Sequence, residues 1–322
     1  MKTKVFLIGL VLSLFFWLAV NISEGKLENF LVWQQIARNQ KAFVAQTVPE
    51  IAKKTESFEP VKIADKKDLE INAKGVISVW IDDSGKEFIL LEKDSKKPLP
   101  IASLTKIISA QVVLENYDLL QGVAFSKRAV EVNDNVGGFK IGETFTAGDL
   151  LYSLLMESSN DTAYALAEIV GIDGFVGLMN LETKNILGSS SNTFFVNPTG
   201  LDPRKPNEKI DYSTAEDLAK ITDYLLKNQP SIWEITQKPD FNLYTLDEVF
   251  HHKILNTDEL LGKIPEIIGG KTGDTKQAGG CLILILESPN KRGFLINVIL
   301  GSDDRFGNME KLISWVKTAY KW

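Results

Sequence analysis

The feature that limits the possible folds most is the position of the strand-forming segments, which stand far apart along the chain. Strand patterns occur at Val76 to Ile81 and Phe88 to Glu92, joined by turn-forming residues, which predicts an antiparallel pair. Two longer apolar strands follow only near the C-terminus, at Gly279 to Glu287 and Arg292 to Leu300. Because segments of helical periodicity fill the space between, we expect one sheet assembled from distant parts of the chain.

The helical segments share apolar residues at spacings of three and four, bounded by helix-starting or helix-stopping residues. Their predicted bounds are about Ser103 to Asn116, Ala147 to Ser158, Asp161 to Val170, Asp173 to Leu187, Thr214 to Lys227, and Phe306 to Tyr320.

The N-terminus has the pattern of a signal sequence or signal anchor. Lys2 and Lys4 precede an apolar run from Val5 to Val20, and Glu24 and Glu28 follow it. This charge distribution predicts a cytoplasmic N-terminus and an extracytoplasmic remainder. We interpret residues 1–25 as a retained anchor of the cytoplasmic membrane, because no good small-x-small cleavage site follows; secretion after cleavage is the alternative.

Residues 26–72 are interpreted as a stem. Apolar residues between Lys26 and Val48 recur at near-helical spacing, and a charged stretch continues to Glu70. We predict a juxtamembrane helix followed by a linker, and a catalytic domain over residues 73–322.

Composition excludes several functions. The net charge of -6 and the pI near 5.2 argue against nucleic acid as a partner. A single cysteine, Cys281, leaves no disulfide, and we predict that it is a small buried residue in a strand. The two histidines, His251 and His252, are adjacent and would face opposite ways in a strand, so no metal site is predicted. Acid–base chemistry must therefore use Lys, Asp, Glu or Ser, and no cofactor is expected.

A serine and a lysine three residues apart open the first long helix, in Ser103-Leu104-Thr105-Lys106. This spacing places the hydroxyl and the amine on one helix face, where a desolvated lysine can serve as the base for a serine nucleophile. The pattern is weak alone, since Ser314-Trp315-Val316-Lys317 also fits it. We interpret that second copy as accidental.

Two further segments carry polar groups suited to a hydrolase site. Ser158-Ser159-Asn160 follows an apolar helix, although Ser190-Ser191-Asn192 has the same form and helix ends favour such residues. Lys271-Thr272-Gly273 lies in a glycine-rich segment, where a strand can approach the backbone of a ligand and offer Lys and Thr to a carboxylate. An ordinary turn is the alternative for that segment.

The three segments in this order are the signature of β-lactamases and penicillin-binding proteins. The sequence resembles the low-molecular-weight D-alanyl-D-alanine carboxypeptidases, which are serine peptidases of that superfamily. The resemblance covers about residues 73–302, and it includes segments beyond the three motifs: Pro100 to Lys106, Gly142-Glu143, Asp149 to Leu151, Ser158 to Asp161, Phe175-Val176, Met179-Asn180, Leu187-Gly188, Asn197 to Asp202, Asn256-Thr257, Leu260-Leu261 and Gly270 to Gly273.

This resemblance implies an α+β fold of the β-lactamase/transpeptidase type, with an antiparallel sheet flanked by helices and an all-helical lobe. It implies that Ser103 is the nucleophile, that Lys106 is its base, and that Ser158 relays a proton to the leaving amine. The implied substrate is the peptidoglycan pentapeptide ending in D-Ala-D-Ala, and β-lactam antibiotics are implied as covalent inhibitors.

The same resemblance implies substrate-binding roles for the remaining motif residues. Asn160 would hold the acyl part, Lys271 would supply positive potential, and Thr272 would bind the terminal carboxylate beside Gly273. The backbone N–H groups of Ser103 and Asp274 would form the oxyanion hole, at about 3 kcal/mol per donor. An acidic residue at 274 and a serine at 159 depart from the family pattern, and Asp274 is expected to alter substrate preference.

Three alternatives stay open at this point. A β-lactamase would carry a Glu-x-x-Leu-Asn deacylation motif, but the corresponding region, Phe194 to Pro198, has no acid, and Glu182 lacks the following Leu-Asn. A DD-endopeptidase acting on cross-links would use the same site. An inactive penicillin-binding scaffold is the third alternative, although every catalytic residue type is present.

Overall fold

The computed structural model describes residues 58–205 and 208–322. The predicted anchor, residues 1–25, and the predicted juxtamembrane helix lie outside these residues. Within the described ranges no single helix has the length and apolarity needed to cross a membrane. Helices Asn160–Glu168 and Ile172–Leu187 satisfy those criteria only as a pair, and they meet at an angle of 98°.

The strands of the described residues form one central sheet and several two-stranded pairs. The central sheet is antiparallel throughout, in the order β10-β11-β12-β2-β3. The strands are β1 (Val61–Lys62), β2 (Gly75–Ile81), β3 (Glu87–Lys93), β4 (Leu99–Pro100), β5 (Gly122–Ala124), β6 (Thr144–Thr146), β7 (Tyr212–Ser213), β8 (Asp240–Tyr244), β9 (Phe250–Leu255), β10 (Ile267–Thr275), β11 (Gly279–Glu287), β12 (Phe294–Ser302) and β13 (Tyr320–Lys321).

The helices of the lobe follow β3 and precede β10 along the chain, and one further helix follows β12 near the C-terminus. They are α1 (Thr105–Asn116), α2 (Lys127–Val130), α3 (Ala147–Leu155), α4 (Asn160–Glu168), α5 (Ile172–Leu187), α6 (Ala215–Asn228), α7 (Ser231–Thr236) and α8 (Arg305–Ala319). Helix α1 is the centre of the lobe and packs on α3 and α5. Its residues from Thr105 to Leu114 are all buried, which agrees with a helix that is apolar on most sides.

Both faces of the sheet are covered, which explains why its middle strands are apolar without alternation. On one face Leu282, Leu284 and Leu286 of β11 form a core with Leu312 and Val316 of α8. On the other face α6 packs across β12 and β2. Cys281 is buried in β11 and unpaired, as predicted.

Polar residues set the helix starts that the sequence predicted. Thr146, Ser159 and Thr214 each accept a hydrogen bond from a backbone N–H one turn ahead, and so cap α3, α4 and α6. The helix predicted from Ser103 begins as a short 3-10 turn, Ala102–Leu104, and becomes α-helical at Thr105.

The chain upstream of residue 73 also contacts the sheet. Strand β1 pairs with β13 at the C-terminus, and the ring of Phe58 packs edge-on against Trp80 at 5.9 Å. The segment predicted as linker therefore contributes to the packing of this unit from residue 58 onward.

The hairpin of β8 and β9 corrects one prediction. The rings of His251 and His252 do not diverge, because their Nδ1 atoms lie 2.6 Å apart. The strand contains a bulge at this point: Leu243 pairs with His252 and Tyr244 with Phe250, so His251 is the extra residue. A bulge places two successive side chains on one side of a strand. Even so, no group of three metal-binding side chains is present in the described ranges.

Candidate active site

Ser103 lies where the 3-10 turn enters α1, at the boundary between the sheet and the helical lobe. The residue before it, Ala102, has a left-handed backbone with φ of 49°, a conformation that costs free energy and is concentrated at functional sites. Oγ of Ser103 lies 2.8 Å from Nζ of Lys106. The spacing of three residues therefore produces the hydroxyl–amine contact that the sequence predicted.

Lys106 is fully buried, and its amine has two further polar neighbours. Nζ lies 2.7 Å from Oδ1 of Asn160 and 2.8 Å from the carbonyl oxygen of Thr199. Burial, followed by the positive charge of Lys271, holds the pKa of Lys106 well below its ordinary value, against the opposing effect of Asp211. A neutral amine beside Ser103 can accept the hydroxyl proton.

The segment from Asn197 to Leu201 lies directly beneath this pair. Oδ1 of Asn197 accepts hydrogen bonds from the backbone N–H groups of Thr199 and Gly200, which folds the segment into a tight turn. Gly200 has φ of 81°, and a side chain there would place Cβ 1.9 Å from the carbonyl oxygen of Ala102. Glycine at this position lets the turn reach the backbone of Ala102 and Ser103 and present the Thr199 carbonyl to Lys106.

A second serine and lysine form a pair on the opposite side of the cleft. Ser158 lies between α3 and α4 with a left-handed backbone, φ 64°, and its Oγ is 2.9 Å from Nζ of Lys271. Lys271 is buried and also donates to the carbonyl oxygen of Thr272. Burial, and then the charge of Arg305, lower the pKa of Lys271 to about 7, while Asp258 acts in the opposite direction.

Strand β10 forms the wall of the site beside Ser103. A Cβ on Gly273 would lie 3.0 Å from the backbone nitrogen of Ser103, so glycine favours this close approach, and a side chain there would push the Ser103 backbone away. Thr272 is buried and its hydroxyl lies 2.6 Å from that of Thr257. Asp274 is exposed and pairs with Arg305, Oδ2 to Nη1, at 2.7 Å.

Asn160 is engaged on both ends of its side-chain amide. Its oxygen contacts Lys106, and its nitrogen donates to the carbonyl oxygens of Asn133 and Asp134 at 3.2 and 2.9 Å. It is 5% exposed. In this structure Asn160 therefore positions Lys106, and a contact with an acyl group would require one of these bonds to be exchanged.

The three sequence segments meet in one cleft, and the accidental copies do not. Ser314 is exposed on α8, and Lys317 of that copy pairs with Glu266 at 2.8 Å instead. Asn192 of the second Ser-Ser-Asn segment is exposed, and its backbone N–H donates to Asp217.

A family model described as D-alanyl-D-alanine carboxypeptidase matches residues 61–304, which is most of the chain. The chain belongs to the D-alanyl-D-alanine carboxypeptidase family. The family match begins upstream of residue 73, in agreement with the contacts made by β1.

Named relatives agree with this family. The chain is 31% identical over 250 residues to the D-alanyl-D-alanine carboxypeptidase DacF of Bacillus subtilis, covering 74% of this chain and 61% of that protein. It is 36% identical over 208 residues to the D-alanyl-D-alanine carboxypeptidase DacB2 of Mycobacterium tuberculosis, covering 63% of this chain and 68% of that protein. A D-alanyl-D-alanine endopeptidase of Pseudomonas aeruginosa is 28% identical, covering 77% and 78%. The chain thus spans less than two thirds of the length of the Bacillus relative.

Solved structures share the fold. A D-alanyl-D-alanine carboxypeptidase from Mycobacterium tuberculosis superposes with a TM-score of 0.69 at 30% identity, over 79% of this chain and 95% of that one. A penicillin-binding protein of Listeria monocytogenes, in a cefotaxime-bound form, superposes with a TM-score of 0.66 at 29% identity, over 78% of this chain and 99% of that one. The fold of the family was predicted correctly from the sequence.

Three residues of this carboxypeptidase-family site were missed by sequence reasoning. Thr199 contributes only its carbonyl, which no side-chain pattern reveals. Asp258 and Arg305 adjust the charge of Lys271 from outside the recognised motifs. The position of Asp258 directly after the Asn256-Thr257 segment of the family resemblance could have identified it as a site residue. Arg305 lies outside all the segments of that resemblance.

Proposed function

We propose that this protein is a serine-type D-Ala-D-Ala carboxypeptidase that shortens peptidoglycan pentapeptides through an acyl-enzyme. The observation that carries the proposal is the 2.8 Å contact between Ser103 Oγ and a fully buried Lys106 amine. Lys106 takes the hydroxyl proton while Oγ attacks the carbonyl carbon between the two D-alanines. Ser158 delivers a proton to the departing nitrogen, and the C–N bond breaks. Water then cleaves the ester and releases the tetrapeptide.

The other motif residues act on charge and position. Lys271 supplies positive potential beside Ser158, and Thr272 binds the carboxylate of the leaving D-alanine. The N–H groups of Ser103 and Asp274 stabilise the oxyanion, since Gly273 brings the two backbone segments together. Asn160 orients Lys106 and lies next to the acyl part of the substrate.

We propose β-lactam antibiotics as covalent inhibitors of the same serine. The Listeria relative was solved with cefotaxime bound, and its fold matches this chain. The β-lactam carbonyl would be attacked by Ser103 in the same geometry as the peptide carbonyl.

Cleavage of cross-links is a second candidate activity. It is supported by the similarity to the Pseudomonas endopeptidase, which extends over 77% of this chain. Both activities would use Ser103 and would differ only in the leaving group.

We further propose that residues 1–25 anchor the protein in the cytoplasmic membrane with the catalytic domain outside the cytoplasm. The proposal rests on the apolar run from Val5 to Val20 and its flanking charges. Cells expressing the full chain should retain it in membranes washed with alkaline carbonate, and external protease should degrade the domain in cells stripped of their wall. Recovery of the protein in the medium would indicate cleavage.

The decisive experiment labels the full-length chain with a fluorescent penicillin. The wild type should be labelled and Ser103→Ala should not. Ser314→Ala is the matched control, because it removes the serine of the accidental Ser-x-x-Lys copy, and it should be labelled like the wild type. Mass spectrometry of a pentapeptide incubated with each protein should show loss of one D-alanine with the wild type and the control alone. An unchanged pentapeptide and no penicillin adduct would favour the inactive scaffold.

A further inference from the structure

The end of β10 carries an ion pair two residues beyond Thr272, the residue proposed to bind the carboxylate of the leaving D-alanine. Oδ2 of Asp274 is 2.7 Å from Nη1 of Arg305, and the same nitrogen donates to the carbonyl oxygen of Gly273 at 3.2 Å. The Asp274 side chain is 63% exposed and that of Arg305 is 21% exposed. The carboxylate therefore faces solvent while the guanidinium lies below it.

The sheet geometry makes this pair a neighbour of Thr272. Side chains two positions apart in a strand share a face, so Thr272 and Asp274 lie on the same side of β10. Their cross-strand partners are Leu282 and Gly280 of β11. A Cβ on Gly280 would lie 3.1 Å from Cβ of Arg305. Because Gly280 has no side chain, Arg305 can cross β11 from the start of α8 and reach Asp274.

The charge of Arg305 is thus compensated by the protein itself. An uncompensated guanidinium beside Thr272 would attract a carboxylate through paired N–H donors. Asp274 occupies one of those donors and places a like charge on the approach path of the substrate. Nε of Arg305 is buried and has no hydrogen-bond partner among the described residues, so the guanidinium keeps a donor unused.

We propose that Asp274, held by Arg305, is a specificity-determining residue that reduces selection for a leaving residue with a free carboxylate. Peptides whose leaving residue ends in a neutral carboxamide are then accepted at comparable rates. This inference rests on the proposed peptidase activity and names the substrate class of that same site.

The test compares two peptides that differ only at the C-terminus, one ending in D-Ala-D-Ala and the other in D-Ala-D-alaninamide. The ratio of kcat/KM for the acid over the amide should be within about tenfold in the wild-type full-length chain, because the competing carboxylate offsets the guanidinium. Asp274→Asn should raise this ratio by about tenfold, equivalent to 1.4 kcal/mol. The increase should shrink in high salt, since the pair is partly exposed.

Two further variants separate the ion pair from a general charge effect. Glu310→Gln removes one negative charge from an exposed position on α8, and it should leave the ratio unchanged. The double variant Asp274→Asn/Arg305→Gln should lose the gain of the single variant, because the freed guanidinium is what binds the acid.

Each outcome decides between the inference and the activity on which it rests. An active wild type with an acid preference above about a hundredfold (2.7 kcal/mol), or an unchanged ratio in Asp274→Asn, overturns the inference alone. If Glu310→Gln changes the acid-to-amide ratio of kcat/KM as much as Asp274→Asn does, the inference is also overturned. A wild type that cleaves neither peptide and takes up no fluorescent penicillin refutes the proposed function itself. Because Asp274 is exposed, the melting temperature of Asp274→Asn should match that of the wild type.

Discussion

The two serine–lysine pairs of the cleft have the same residue types and nearly the same contact distance, but their surroundings differ. Ser103 and Lys106 lie one helical turn apart, 2.8 Å from each other, whereas Ser158 and Lys271 come from segments 113 residues apart and lie at 2.9 Å. Both lysines are buried. Lys106 is next to an amide and a carbonyl oxygen, while Lys271 has both Arg305 and Asp258 in range.

This difference shows how one residue type acquires two roles. Burial penalises the charged form of each amine, and two close ammonium groups repel each other. Burial lowers the pKa of Lys106 well below its ordinary value, an effect to which the charge of Lys271 adds, and it lowers the pKa of Lys271 to about 7. We therefore assign the base to the pair at the start of α1, whereas Lys271 of the pair across the cleft carries its proton below about pH 7.

The largest effect is expected from Lys106→Met. Removing the base should lower the rate of acylation by fluorescent penicillin by about 10²–10⁴-fold, the usual contribution of a general base. The melting temperature should also fall, because the buried oxygens of Asn160 and Thr199 lose a hydrogen-bond partner, so acylation is measured at a temperature where both proteins are folded. Lys317→Met, in the accidental copy, is the control and should acylate normally. Full acylation by Lys106→Met would contradict the assignment of the base.

A smaller loss is expected from Lys271→Met. This change removes positive potential from the cleft and should lower kcat/KM for the pentapeptide by about 10²–10³-fold, as for the loss of one preorganised donor. Stopped-flow acylation would measure it directly. A loss greater than that of Lys106→Met would reverse the two roles.

The pH dependence of kcat/KM should report the protonation of both lysines. Activity is lost as the pH falls through the lowered pKa of Lys106, because the base becomes protonated. It is also lost as the pH rises through about 7, where Lys271 loses its proton in the free enzyme. A series of rates from pH 4 to pH 10 checks both limbs. A rate that keeps rising through the alkaline range would show that a charged Lys271 is not needed.

The smallest effect is expected from Asp258→Asn. Asp258 raises the pKa of Lys271, so its neutralisation should move the alkaline limb to lower pH without changing the acidic limb. The asparagine oxygen can still accept the hydrogen bond from the backbone N–H of Leu260, which preserves the turn. Glu259→Gln is the matched control at the adjacent exposed position. An equal shift in both variants would indicate a general charge effect.

Much of the fold was predictable because its core elements carry strong local patterns. The apolar strand predicted at Val76 to Ile81 is β2, and the helix predicted at Asp173 to Leu187 is α5, each displaced by one residue at the start. The hairpin of β8 and β9 was missed, because few of its residues are buried apolar ones and the bulge at His251 breaks the alternation that marks a strand. The pairing of β1 with β13 was missed because two-residue strands carry no period.

The sequence by itself determined that Ser103 and Lys106 lie on one face at the start of a helix, since residues three apart in a helix are neighbours. Only the tertiary structure decided which Ser-x-x-Lys copy is buried in a cleft with Asn160 and Lys271, and which is exposed on α8. It also decided the charge of each lysine, because desolvation and neighbouring charges depend on segments that are distant in the chain. Only the tertiary structure decided the pairing of Asp274 with Arg305 as well. The pairing depends on the first residue of α8 passing over Gly280 of the adjacent strand.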